Sequence, residues 1–351
     1  MRVPRLKIPR EDAPSAEHPR TDREQPGGGE SSSLVGRRQL LLTWGPVALA
    51  SLVLGGAGKL LRDRPGRHQP VNAASLPGRR DWRAAPQAPG QIALAGGSGP
   101  AANVQRAISA LGGIGAFVGQ GHRVVIKPNS AWDRTPEQAA NTNPELVGQL
   151  VRMCLAAGAS SVIVADCTCH DPDRAFARSG IGDAAQEAGA RVAHQTRGGT
   201  VALDLGGTQL GSWQVLRSLA EADRVINVPV VKHHSLARGT LGMKNWFGAL
   251  VGQRSRLHQR LPQVSAELAD VFRPTLTVVD ATRVLVGGGP TGGSLTLVRD
   301  LDQIAVATDP VAADSWGGSL LDLGARELPH LDIARRLGLG TPDWQSVSIQ
   351  T

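Results

Sequence analysis

Residues 122–165 read HRVVIKPNSAWDRTPEQAANTNPELVGQLVRMCLAAGASSVIVA, and the change of pattern within this stretch decides the fold class. HRVVIK (122–127) and SSVIVA (160–165) are short, apolar, β-branched runs of the kind that form strands buried on both faces. Between them, NPELVGQLVRMCLAAG (143–158) has helical spacing, with Asn143 as cap, Pro144 in the first turn and a glycine stop. The pattern repeats outward. ARSGIGDAAQEAG leads to a third strand, RVAHQ, and DRVINVPVV (223–231), PTLTVVDA (274–281) and QIAVAT (303–308) follow, with helical SAELADVF and DPVAADSWGGSLLDL between or after them. Strands alternating with helices predict an α/β fold: a mostly parallel sheet flanked by helices, in one large domain spanning residues 91–340.

The residues before that domain differ in composition. Residues 1–35 are polar and rich in Pro, Gly, Glu and Arg, which cannot bury enough apolar surface to offset ordering entropy, so disorder is expected. GRRQLLLTWGPVALASLVLGG follows, with an arginine pair ahead of about eighteen mostly apolar residues, the layout of an export signal. Arg37-Arg38-Gln39-Leu40-Leu41 fits the twin-arginine form. An uncleaved membrane anchor over residues 36–58 is an equal reading, because the nearest small-x-small site, Val71-Asn72-Ala73, lies far downstream. Residues 59–90, rich in Pro, Arg and Ala, read as a basic tether. This organisation places the domain in the cell envelope, with the twin-arginine export machinery and the membrane as partners.

The net charge of +8 does not indicate nucleic acid. Most of the excess lies before residue 84, and residues 84–351 hold 23 Lys/Arg against 22 Asp/Glu. With no tyrosine and 3% aromatic residues, the chain also lacks the stacking surface of a single-strand binder. Three cysteines over 351 residues do not make a disulfide scaffold.

The strand ends carry the chemistry. After the proposed strands come Lys127-Pro128-Asn129, Asp166-Cys167-Thr168-Cys169-His170, Lys232-His233-His234, Asp280 and Asp309-Pro310. Ligands of open α/β sheets bind at the carboxyl ends of strands, so these clusters predict one mouth. Asp309 before Pro310 reads equally as a helix cap. The chain has only five lysines against thirty-three arginines, and three of the five, Lys127, Lys232 and Lys244, lie in these loops. Lysine differs from arginine in offering a compact, titratable charge. Lys127 with Asn129, and Lys244 with Asn245, supply donors suited to a carboxylate or phosphate. His234 is the expected acid/base, since adjacent side chains diverge and only one of His233 and His234 faces a site, and Lys232 is expected to tune it or to hold a second acidic group. Asp166, Asp280 and Asp309 are expected to orient the lysines or bind a divalent cation. The glycine-rich VGGGPTGGS (286–294) offers backbone N–H groups to the same anion, or is a mobile loop.

DCTCHD (166–171) admits several readings. On an extended segment Cys167 and Cys169 share a face, and with His170 and His233 they form a candidate set for a soft transition metal. Inert thiols are the simpler reading, and a reactive thiol or a disulfide with Cys154 are others.

VVIKPN, NTNPELVGQLVRMCLAAGASSVIVAD, INVPVVKHHSLARGTLGMKNWFG and IAVATDPVAADSWGG together resemble the domain-of-unknown-function 362 family, including its twin-arginine-bearing members. The resemblance covers about residues 95–325. Its motif positions fall here on Lys127, Asn129, Lys232, His234, Thr240, Lys244, Asn245 and Asp309, which adds Thr240 to the substrate-binding candidates. Export by the twin-arginine route implies a chain folded before transport, around a cofactor in many cases. Some relatives carry ferredoxin-type segments; this chain has no Cys-x-x-Cys-x-x-Cys run, and three cysteines cannot build a four-cysteine iron–sulfur cluster. The expectation is an enzyme acting on a small anionic substrate. The alternatives are an envelope module that binds a ligand or metal without turnover, and a motif that only stabilises the sheet.

Overall fold

Alternation along the strands sorts the core into two halves. In the computed structural model, which describes residues 76–85 and 88–351, Val124 and Ile126 enter one buried cluster while Val125, between them, enters the other. The large sheet that divides these clusters contains β1 (Ile92–Gly96), β2 (Arg123–Pro128), β3 (Ser161–Ala165), β4 (Arg191–Ala193), β5 (Arg224–Val228), β6 (Val230–His234), β7 (Arg238–Thr240), β8 (Leu276–Leu285), β9 (Val298–Ala307) and β10 (Ser348–Gln350). The order across it is β10-β1-β9-β8-β5-β2-β3-β4, with β6 pairing β8 and β7. Neighbours from β8 to β4 run parallel, and β9 is antiparallel to both β8 and β1. The predicted α/β architecture is the one observed: mostly parallel in its central and far half, with helices on both faces.

Helices α1 (Pro100–Ala110) and α2 (Pro144–Ala156) cover the face that Val124 and Ile126 share. Asn143 caps α2 as predicted, its side chain accepting the Glu145 N–H at 3.0 Å. The opposite face is covered by α3 (Gly242–Asn245), α4 (Leu261–Val271), α5 (Pro310–Ser319) and the aromatic turn Trp246–Phe247. Period two places Lys127 on this second face, and parallel register sets Asn227 of β5 beside it. The polar ends of β2 and β5 therefore meet under α3.

Three predicted boundaries change. The run DRVINVPVV is two strands, because Pro229 has no N–H to continue the ladder, so Lys232, His233 and His234 lie within β6 and not after a strand. Asp280 lies inside β8, which continues to Leu285; its carboxylate is satisfied within the sheet by Asn143 N–H at 2.7 Å and by Thr282. The folded region also begins before residue 91 and continues past residue 340. Arg80–Asp81 pairs with Phe272–Arg273, and the buried Trp82 stacks on Trp246 and Phe272 with ring centroids 6.1 and 6.0 Å apart. Such aromatic pairs contribute about 0.5–1.5 kcal/mol each beyond their burial. Residues 1–35 and 36–58, and the tether as far as residue 75, lie outside the described residues. Among the described residues no helix is long and apolar enough to cross a membrane.

Candidate functional site

The ends of β2, β3 and β6 and the segment 240–258 enclose a cavity of about 280 Å³. Asn129, Trp132, Lys232, His234, Thr240 and Lys244 line it, together with Asp166, Cys169, Arg254 and His258. Small-molecule pockets usually run from about 300 to 1,000 Å³, so this one suits a ligand of few heavy atoms. Segment 240–248 is fixed from outside by Asp314 of α5, whose carboxylate accepts the Gly242 N–H at 2.6 Å and the Met243 N–H at 3.2 Å, and which also meets His330 at 3.1 Å. A carboxylate over the first turn of α3 satisfies N–H groups that helix geometry leaves unpaired.

The three clustered lysines are held in three different ways. Lys127 is fully buried and ion-paired to Asp166 at 2.7 Å, and its ammonium also donates to the Pro128 carbonyl at 3.2 Å. The second Asp166 oxygen accepts the Ser130 N–H at 2.8 Å. Burial pulls Lys127 below the usual lysine value and the Asp166 carboxylate opposes that pull. The backbone of Gly248 seals this pair: a Cβ there would lie 1.9 Å from Asp166 Oδ1 and 2.7 Å from Lys127 Nζ. Lys127 is therefore committed inside the protein and does not line the cavity, which corrects its expected role as an anion grip.

Lys232 is buried but faces the cavity. Its amine donates to Asn129 Oδ1 at 3.1 Å and to the Ala140 carbonyl, and it stands 5.9 Å from the centroid of the Trp132 ring. Asn129 continues a one-way series of amides, donating to Asn245 Oδ1 at 3.0 Å; Asn245 donates to Asn227 Oδ1 at 2.9 Å, and Asn227 to the Gly242 carbonyl at 2.9 Å. The side-chain amides of Asn129 and Asn245, expected to grip the anion, are thus engaged in holding Lys232 and α3. Burial lowers the Lys232 pKa to about 7, with the Lys244 charge adding to the effect.

Lys244 has no hydrogen-bond acceptor among the described residues; its ammonium lies 4.8 Å from the Phe247 ring centroid. Its pKa falls to about 8, chiefly through burial, with Arg254 contributing. Thr240 Oγ1 is likewise buried without a partner, on a residue 4% exposed. Among the described residues Asp166 is the only carboxylate lining the cavity, and both its oxygens are engaged. Among the described residues the Lys244 ammonium and the Thr240 hydroxyl therefore lack an acceptor, and the one nearby carboxylate is committed to Lys127.

His234 is fixed as a donor. Its Nδ1 accepts the backbone N–H groups of Leu236 at 3.1 Å and Ala237 at 3.2 Å, so the neutral ring carries its proton on Nε2. Burial, then Lys244 and Lys232, lower its pKa to about 3. Protonating Nδ1 would set an N–H against two others. The acid/base role expected for His234 does not fit this tautomer; hydrogen-bond donation to a substrate oxygen does. His258 has the opposite arrangement. Its Nδ1 faces the Arg254 carbonyl at 3.3 Å and donates there, which leaves the Nε2 lone pair for a proton. Burial and the Lys244 charge lower its pKa, so it is the neutral base of the cavity.

The candidate metal ligands are not brought together as a set. Cys167 is buried, with its thiol pushed up to about 12 by burial; Cys169 is exposed at the cavity rim. His170 Nδ1 accepts the Asp133 N–H and the ring packs edge-on to Trp132, while His233 Nδ1 accepts the Gly289 N–H away from the cavity. Among the described residues no group of three His, Cys, Asp or Glu side chains converges. Cys154 is buried in α2, and all three cysteines are free. Asp309 is the cap of α5, accepting Val311 and Ala312 N–H groups at 2.8 Å each, and burial raises its pKa. The glycine-rich 286–294 stretch reaches the cavity through Pro290.

Sequence reasoning missed Trp132, Gly248, Arg254 and His258. Arg254 joins the loops by donating to the carbonyls of Cys167, Phe247 and Thr168 at 2.9–3.0 Å. None of the four stands at the end of a strand.

Comparison with known proteins adds a family and distant relatives. The family described as Domain of unknown function (DUF362) matches residues 124–318. A thylakoid-associated protein of Synechocystis is 27% identical over 247 residues, which is 68% of this chain and 75% of that one. Among solved structures, a Thermotoga maritima protein aligns with a TM-score of 0.34 at 11% identity, over 68% of this chain and 58% of its own. The lactate racemase apoprotein of Thermoanaerobacterium thermosaccharolyticum aligns with a TM-score of 0.35 at 13% identity, over 71% of this chain and 59% of its own.

Proposed function

The chain belongs to the DUF362 family, and we propose that its strand-end cavity binds the carboxylate or phosphate of a small substrate and acts on it as an enzyme. The observation that carries this reading is the Lys244 ammonium, without an acceptor among the described residues, in the same cavity as the orphaned Thr240 hydroxyl, where the Asp166 carboxylate is already paired. In the proposal Lys244 and Thr240 hold the anion, the His234 Nε2–H donates to a substrate oxygen, and His258 moves the proton. An ammonium is required on Lys244 because its acceptor arrives with the ligand. The export signal read at Arg37-Arg38 supports placing this enzyme in the cell envelope, and the thylakoid association in the relative's name agrees with a membrane setting.

The reading has a pH signature. Lys244 titrates at about 8, so raising the pH through that value removes the charge the anion needs. Calorimetric titration of the full chain with acetate and with inorganic phosphate is expected to show affinity that falls as the pH rises from about 6 to about 9, with a midpoint near the Lys244 value. Absence of binding across that range, or affinity indifferent to pH, contradicts the proposal.

A further inference from the structure

Lys232 is placed differently from an anion-binding lysine. A neutral amine has two N–H bonds and one lone pair, whereas an ammonium has three N–H bonds. Among the described residues the Lys232 nitrogen has two acceptors, Asn129 Oδ1 and the Ala140 carbonyl. With the Cε bond those two hydrogen bonds account for three of the four positions around the nitrogen, which leaves one for the cavity that Lys232 lines. In the ammonium form the third N–H would have no oxygen or nitrogen acceptor among the described residues, only the Trp132 ring 5.9 Å from the nitrogen, on a residue 1% exposed, at the cost of a poorly matched buried donor. In the neutral form every N–H is satisfied and the lone pair is available. Asn129 cannot rotate to change this, because its amide is tied onward through Asn245 and Asn227 to the Gly242 carbonyl.

From this geometry we infer that Lys232 is an amine nucleophile that forms an imine with the carbonyl carbon of a small 2-oxo acid whose carboxylate sits at Lys244 and Thr240. The inference rests on the anion-binding reading and names its substrate class. The Nζ lone pair forms the C–N bond as the carbonyl π pair moves to oxygen, which takes a proton from the attacking nitrogen through the neighbouring base. The resulting carbinolamine then loses its hydroxyl with a second proton as water, leaving C=N and requiring no oxidant or reductant. His258 Nε2 can shuttle both protons, and the His234 Nε2–H can hold the oxygen while it carries charge. A neighbouring cation and burial are the two means by which a lysine is kept neutral for such chemistry, and Lys232 has both, with a pKa of about 7. Lys127 has its carboxylate and Lys244 is the counter-charge, so neither replaces it. Arginine, always charged, cannot perform this step.

The test is reductive trapping on the full chain. Protein is incubated with pyruvate or glyoxylate and cyanoborohydride at neutral pH, the adduct is located by peptide mass mapping, and pyruvate binding is measured separately by calorimetry. The expected result is one adduct, on Lys232, with the mass of the oxo acid less one water plus two hydrogens; it forms roughly tenfold or more slowly in Lys244→Met and is absent in Lys232→Arg. An adduct on Lys127 or Lys244 in its place overturns the inference. Pyruvate binding without trapping also overturns it and leaves the anion-binding reading standing, whereas failure of both binding and trapping removes the two together.

Discussion

Gly248→Ala is expected to destabilise the protein by about 4 kcal/mol or more, or to prevent folding. The added methyl would occupy space within 1.9 Å of Asp166 Oδ1 and 2.7 Å of Lys127 Nζ, so the ion pair or the 247–254 segment must move. Neither moves easily. Asp166 is held by Ser130, Lys127 by its place within β2, and Gly248 by the Cys167 N–H donated to its carbonyl at 2.8 Å. Overpacking alone costs about 1–3 kcal/mol, and separating a buried ion pair about 3–5 kcal/mol. Urea unfolding reads the loss. Replacing the pair by apolar residues, Lys127→Met with Asp166→Leu, removes the charges and is expected to cost less than Asp166→Asn alone, which leaves a buried ammonium without its carboxylate; the double variant still loses about 1–3 kcal/mol because the Ser130 N–H loses its acceptor. Wild-type stability in Gly248→Ala would contradict the buried pair.

The second large effect is on binding. Lys244→Met is expected to weaken acetate and phosphate binding by roughly 10- to 100-fold, since a hydrogen bond to a charged group contributes about 1.5–3 kcal/mol. The same substitution is expected to leave the unfolding midpoint unchanged or raised, because the ammonium it removes is half-buried and without an acceptor. Loss of binding with stability kept separates a ligand contact from a structural one. A variant that binds anions as the natural chain does would place the anion elsewhere in the cavity.

Much of the fold was legible because its signals are local. Alternation in HRVVIK and SSVIVA, and the Asn143-Pro144 start of α2, depend on neighbours within a few residues, and the structure repeats them. The boundaries that moved depend on distant partners. Asp280 read as a strand end because it closes the apolar run of residues 274–281, yet Asn143, far away in sequence, satisfies it inside β8. The site was partly legible for the same reason. Lys232, His234 and Lys244, singled out near strand ends, line one cavity with Thr240, which only the family motif had marked, but their states do not follow from residue type. Only the two backbone N–H groups on Nδ1 show that His234 is a donor, and only the Gly248 backbone shows that Lys127 is sealed away. His258 was passed over because no neighbour in sequence marks it; the turn after Phe247 brings it to Lys244.

The account depends on lysines of one site being held in different protonation states, and the chain's five lysines make direct observation practical. Nuclear magnetic resonance titration of the full chain with isotope-labelled lysine side chains measures each amine. The predicted result is a midpoint of about 7 for Lys232 and about 8 for Lys244 in the free protein, with Lys244 rising when inorganic phosphate is added. Titration of both near 10.5, unmoved by phosphate, would contradict it.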